Sequence, residues 1–260
     1  MLKKEIQIKY LRRRGKTLAS QLDAYHASGE SSKLHEIRLQ LKKIQALLFL
    51  VEHCYRKLDF SGPKGKIKKL FRQAGRIRDA VTQEGQLARL SGQAVSLRDQ
   101  LSQEIAKESS NLIARIPRHQ QNLDRALKQI ARRLKDIPDH PIGQFFRRQQ
   151  KLLTRSLADP DLTKHLHQHR KTIKNLIYAH DILDKNLAKK LALDVPYLHK
   201  LEDRIGRWHD GMEVMELLRC ANFTDGRTLA RLRRQNQRLL HSIQKLAKLF
   251  PVRAIQFTIN

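Results

Sequence analysis

Acidic residues, aromatic rings, cysteine, glycine, proline and long apolar runs are all scarce in this 260-residue chain. Only 25 Asp and Glu stand against 53 Lys and Arg, so the formal charge is +28, and self-repulsion of that size weakens a compact state unless an anionic partner offsets it. Nucleic acid, a phosphate polymer or an anionic membrane surface would meet that need. Aromatics make up 5% of the chain and Trp208 is the sole tryptophan, which disfavours a ligand whose bases must be stacked and favours an anion without bases. Two cysteines, Cys54 and Cys220, exclude a disulfide framework, show no metal-ligand spacing, and read as small buried side chains in a reducing compartment. The longest unbroken apolar run, Ala46 to Val51, is too short to cross a bilayer, and Met1 leads into Lys3 and Lys4 without the apolar segment of a signal peptide. A cytoplasmic location with no membrane partner is therefore expected. No Gly-rich strand-to-helix turn is present, which excludes the phosphate-cradling loops of nucleotide enzymes.

What the chain does have is helical periodicity. Leu and Ile recur three and four residues apart along almost its whole length, and no convincing strand interrupts them. Apolar residues at this spacing make up 40% of the sequence, enough for a core, so an all-α fold is expected. The pattern predicts helices over Leu2 to Ala27, Ser32 to Leu58, Pro63 to Leu90, and Ala94 to Ile116. After a break at Pro117 it predicts Gln120 to Lys135, Ile142 to Leu157, Leu162 to Ala192, Val195 to Arg219, and Gly226 to Leu249. An internal repeat organises these helices at an offset of 131 to 132 positions. Leu34-His35-Glu36-Ile37-Arg38 with Lys42 matches Leu166-His167-Gln168-His169-Arg170 with Lys174, and Gly75-Arg76-Ile77-Arg78-Asp79 matches Gly206-Arg207-Trp208-His209-Asp210. Two short patterns in the same order at nearly equal spacing imply a duplicated helical unit with pseudo-twofold symmetry, divided into residues 1–117 and 118–260.

On a helix turning about 100° per residue, His35, Arg38, Lys42, Gln45 and Phe49 share one stripe, and His167, Arg170 and Lys174 share the matching one. Each stripe sets an imidazole and two long cations about a turn apart, a spacing that follows a string of phosphates. Further basic rows run through Lys9, Arg12, Arg13 and Lys16, through Arg148, Lys151 and Arg155, and through Arg227, Arg231, Arg234 and Arg238. Guanidinium forks beside mobile ammonium groups suit a flexible polymer, and a histidine against phosphate favours its protonated form, so affinity should rise as pH falls. Two blander readings stay open at this point: the rows are solvated faces, or the histidines are core residues bonded to backbone or to Asp79 and Asp210. Asp79 and Asp210 read as structural partners that orient arginines, with a catalytic role as the alternative, and Gly75 and Gly206 read as points of close helix approach or a kink. Of His165, His167 and His169, only the first and last share a helix face, and no acid or Cys stands near, so neither a metal nor another cofactor is expected.

At these residues the sequence resembles the CHAD family, the conserved histidine α-helical domain, whose hallmark is a pair of H-x-x-R helices with downstream cations, each followed by a G-x-x-[RNH]-D helix. The matching positions are His35, Arg38, Lys42, Lys43, Gly75, Arg78 and Asp79, then His167, Arg170, Lys174, Gly206, His209 and Asp210, with Phe49 at an aromatic position. The resemblance covers nearly the whole chain and implies two four-helix bundles related by a pseudo-dyad, with cations lining a central basic groove or pore that binds inorganic polyphosphate. Free phosphate or sulfate is expected to occupy the same places. Gln45, Asn175 and Ile177 stand where family members often carry further cations, so they are left out of the ligand contacts. Arg12, Arg148 and Lys151 join the expected contacts from the neighbouring basic rows, while Gly75, Asp79, Gly206 and Asp210 are expected to be structural. The segment Glu5-Ile6-Gln7-Ile8-Lys9 is similar to the E-x-E-x-K strand of triphosphate-tunnel enzymes, which such domains accompany, but it lacks the middle Glu, and a stand-alone helical module is expected. Binding rather than catalysis is the expected role, with targeting to polyphosphate granules as one use. An RNA- or DNA-binding helical protein is the first alternative, since phosphate contacts alone give non-specific affinity. A metal-dependent phosphohydrolase using Asp79 or Asp210 is the second, disfavoured by the lack of clustered carboxylates in the sequence.

Overall fold

A computed structural model describes residues 1–88, 95–159 and 161–255. Among them ten α-helices and one 3-10 turn account for nearly all the regular structure. The first five are α1 (Lys4–Ser28), α2 (Ser31–Cys54), α3 (Ser61–Leu87), α4 (Val95–Ile113) and α5 (Ile116–Arg133). Next come α6 (Asp139–Leu157), the turn Leu162–His165, α7 (Leu166–His180), α8 (Lys185–Leu191), α9 (Val195–Cys220) and α10 (Gly226–Arg253). The all-α expectation holds, and Glu5–Lys9 lies in α1 rather than in a strand.

Local chemistry explains most departures from the expected boundaries. Pro117 stands in the first turn of α5, where a missing N–H costs nothing, so that helix starts earlier than Gln120. The single helix expected from Leu162 to Ala192 is broken into three pieces. Asp184 caps α8 by accepting a hydrogen bond from the Leu187 N–H at 2.9 Å, and Ala192 ends it in the left-handed region at φ 41°. Helix α2 stops at Cys54, short of Leu58, whereas α10 runs past Leu249 and carries Pro251 in its final turns. The expected ends at Leu90 and Ala94 lie outside the described residues. Cys54 is half-buried and burial pushes its thiol up to about 12, while Cys220 is exposed beside Glu216, not buried as expected.

The chain divides into two compact units, Leu2–Ile137 and Pro138–Asn260, the latter with Met1. The division falls after Ile137 rather than after Pro117 because α5 packs against α1 and α3. Ile116, Leu123, Ala126 and Ile130 form the buried stripe of α5, and each large apolar side chain so buried stabilises the unit by about 1.5–3 kcal/mol. The ends of this N-terminal unit are tied by paired backbone hydrogen bonds, Leu2 N–H to Ile137 O at 2.8 Å and Ile137 N–H to Leu2 O at 3.0 Å. The buried Gln7 amide adds a bond to the Lys135 carbonyl at 2.7 Å. The core gathers Leu18, Leu22, Tyr25, Ile37, Leu41, Ile44 and Leu48 between α1 and α2, and α4 packs chiefly on α3 as a fifth helix.

In the C-terminal unit α9 is the central element, packed on α7 and on α10, with α6 against α7 and α10. Phe146, Ile173, Leu198, Leu201, Ile205, Leu218, Ile243 and Phe250 are fully buried there. Leu193 bridges to Ile255, and Arg253 closes onto Asp194 at 2.8 Å. No helix among the described residues is long and apolar enough to cross a membrane.

Candidate anion-binding site

In the N-terminal unit the motif residues meet where α2 packs on α3. Gly75 is buried, and a Cβ there would overlap the Arg38 guanidinium, so the absent side chain is what lets Arg38 lie flat across α3. Glycine inside a helix costs roughly 0.5–1 kcal/mol against alanine, a cost this cradle explains. Arg38 donates to the Phe71 carbonyl at 3.3 Å, its guanidinium carbon lies 4.5 Å from the centre of the Phe71 ring, and its side chain is only 14% exposed. Lys42, one turn on, places its ammonium 5.8 Å from the same ring. Asp79 is exposed and sits 3.8 Å from Arg38 and 3.7 Å from Arg78, at the long end of an ion pair. His35 lies on the exposed side of α2, and Lys43 is half-buried on the same helix.

The C-terminal unit repeats this packing with different chemistry. Gly206 on α9 is buried, and a Cβ there would stand 2.7 Å from Arg170 Nη2, so Arg170 of α7 crosses the glycine as Arg38 does. Four residues before Gly206, however, stands Glu202, where the N-terminal unit has Phe71 four residues before Gly75. Arg170 Nε donates to Glu202 at 2.8 Å and Lys174 contacts the same carboxylate oxygen at 2.7 Å. Glu202 is buried; burial alone would raise its pKa, but the hydrogen bond and charge of Lys174, with Arg170, outweigh it and hold the carboxyl below its usual range. The motif arginines thus rest on different supports, the Phe71 ring with the exposed Asp79 at 3.8 Å in one half and the buried Glu202 carboxylate in the other. Glu202, rather than the expected Asp210, orients the cations of this half. Its signal in the sequence was a lone acid at the repeat position of Phe71, facing a basic stripe.

Asp210 instead neighbours His209 and Glu213, and the ligand atoms of these three groups lie within 4.8 Å of one another. His209 Nδ1 is 3.7 Å from the Glu213 carboxylate, and the His209 ring stacks obliquely on that of exposed His167, centroids 5.1 Å apart. The corresponding N-terminal residues are Arg78, Asp79 and Thr82, which form no such group. The His165 and His169 rings lie 6.3 Å apart, centroid to centroid. The His169 ring turns into the unit, meets Ser156 Oγ of α6 at 2.6 Å, and is held down to a pKa of about 4 by burial and by the neighbouring His165. Arg12, Arg148 and Lys151 are exposed on α1 and α6 and form no ion pair with the motif side chains among the described residues. Arg12 lies over a shallow cleft with Glu5, Ile8 and Lys9.

Chemically, each motif presents a fixed guanidinium and an ammonium one helical turn apart, flanked by an imidazole, and cations so arranged bind anionic oxygens. Solved structures share this fold. The crystal structure of the CHAD domain from the plant Ricinus communis matches with a TM-score of 0.71 at 16% identity, over 97% of this chain and 93% of that one. PptA from Streptomyces chartreusis matches with a TM-score of 0.59 at 12% identity, over 96% and 98% respectively. Among curated protein sequences none matches. The family model that describes the CHAD domain spans residues 9–219, taking in both His-Arg-Lys rows and both Gly-Asp motifs, and the chain belongs to that family.

Proposed function

We propose that this protein binds inorganic polyphosphate through the Arg38–Lys42 and Arg170–Lys174 pairs, with His35, Lys43, Arg78, His167 and His209 beside them, and does not turn it over. The observation that carries the reading is the glycine cradle, which fixes a guanidinium at the same place in both repeats. A fixed guanidinium and a mobile ammonium together grip successive phosphates of a polymer whatever its local conformation. The low aromatic content favours a ligand without bases over RNA or DNA. Free phosphate or sulfate enters the same places more weakly, and association with polyphosphate granules in the cytoplasm is the proposed consequence.

The deciding experiment titrates long-chain polyphosphate against labelled protein at near-physiological salt, with RNA as competitor at equal phosphate concentration. Retention of polyphosphate supports the reading, and displacement by RNA overturns the ligand assignment. The His209–Asp210–Glu213 group favours a second reading, a divalent cation held for phosphate hydrolysis. Incubation of polyphosphate with protein and magnesium decides it: sustained phosphate release that Asp210→Asn abolishes would establish turnover.

A further inference from the structure

The side of α9 that faces away from Gly206 carries a second concentration of positive charge. Counting 100° per residue, Glu202, Gly206, His209 and Glu213 fall on one side of α9, and Arg204, Arg207 and Gly211 fall on the other. That other side meets α10. Gly211 allows the approach, since a Cβ there would collide with the buried Asn236 of α10. The approach sets Arg204 and Arg207 of α9 against Arg231, Arg234 and Arg238 of α10 around a cleft of about 520 Å³.

Five guanidiniums in one cleft repel one another, and the wall supplies no carboxylate: Gln235, Leu239 and Ser242 complete it. Arg207 alone of the five has an acidic partner, Asp203 of its own helix at 3.1 Å. Arg204, Arg231, Arg234 and Arg238 form no ion pair or hydrogen bond among the described residues, and the Nε of Arg204 is buried without an acceptor. An anion in the cleft would relieve the mutual repulsion.

We infer that this cleft is a second anion site, built for a compact anion that carries several phosphate groups. The volume suits a small molecule, and Arg231 to Arg238 spans two helical turns, about 10 Å. All the cations are arginines, whose planar forks fix discrete phosphate oxygens in pairs, whereas the motif rows mix arginine with lysine. No aromatic side chain lines the cleft, so a nucleobase has nothing to stack on. The site goes beyond the polyphosphate reading and stands on different residues, because the motif row lies on the opposite side of α9.

Inorganic tripolyphosphate titrated into the full chain by calorimetry at near-physiological salt tests the inference. The quadruple variant Arg38→Ala, Lys42→Ala, Arg170→Ala, Lys174→Ala should keep one equivalent of tripolyphosphate, and adding Arg231→Ala, Arg234→Ala and Arg238→Ala should remove it. These three arginines are exposed, so the variant is expected to fold, and circular dichroism checks that it does. Replacing the same three by lysine keeps the charge but removes the forks, and should weaken tripolyphosphate at least tenfold. Absence of any tripolyphosphate binding in the quadruple variant overturns the second site, and lysine variants that bind as tightly as the wild type reduce it to diffuse charge and overturn it equally. Unchanged long-chain binding in the quadruple variant would instead sink the proposed function and leave this site standing.

Discussion

Phe71 and Glu202 occupy the same place in the two repeats and give the same cations different fates. A cation over an aromatic face gains about 0.5–2 kcal/mol and keeps its full charge, whereas a hydrogen-bonded carboxylate contributes about 1.5–3 kcal/mol per charged hydrogen bond and cancels much of the field. Arg170 and Lys174 share the buried Glu202 at hydrogen-bond distance, whereas Arg38 meets the exposed Asp79 at 3.8 Å, so the charge of the Arg170–Lys174 pair is the more strongly offset. Alanine at both Arg38 and Lys42 should weaken polyphosphate binding several-fold more than alanine at both Arg170 and Lys174. Glu202→Gln should act the other way, tightening binding several-fold while lowering stability by about 1–3 kcal/mol, because two cations lose a buried partner. Binding titrations with a parallel urea melt separate the two effects, and equal losses from the two double variants would show that Glu202 does not set the difference.

Helix α7 is anchored by a neutral histidine, which makes its packing sensitive to acid. His169 is buried with a pKa near 4 against an ordinary 6.5, so folding favours its unprotonated form. That contribution is complete above about pH 6.5 and is lost as pH falls towards 4, about 3 kcal/mol in all. Glu202, whose pKa is lowered, adds a loss that begins only below the ordinary carboxyl range near 4.5. Thermal melts should therefore fall more steeply between pH 6.5 and 4.5 for the wild type than for His169→Gln, whose amide faces Ser156 but takes up no proton. Matching slopes would assign the acid sensitivity of this unit elsewhere. In the same region the helix ends do not follow the apolar spacing. Ile182, Leu183 and Leu187 continue the apolar spacing across the gap between α7 and α8, whereas the stop is set by Asp184 capping the next helix.

Across the whole molecule the excess of cations sets how binding responds to salt. Each cation that touches phosphate releases counterions, so the slope of log affinity against log salt measures the number of contacts. Removing Arg38, Lys42, Arg170 and Lys174 should flatten that slope by up to about 3 for a flexible single-stranded polyanion. Affinity measured from low to moderate salt checks it, and an unchanged slope in a folded variant would place the contacts elsewhere. The far-reaching charge of the remaining residues should persist as weak, non-specific binding.

Sequence alone determined the helical class and showed two matching motif sets in the same order, because these depend on spacing along single helices and on self-similarity of the chain. It did not determine that α5 belongs with the first unit, since that follows from a stripe of Ile116, Leu123 and Ile130 finding α1 and α3 across long sequence separations. Nor did it decide that the glycines cradle guanidiniums, that Glu202 neutralises one half, or that arginines of α9 and α10 converge on one cleft. Each of these is a relation between helices. Its sign and strength depend on how closely two backbones approach, which only packing of the whole unit fixes.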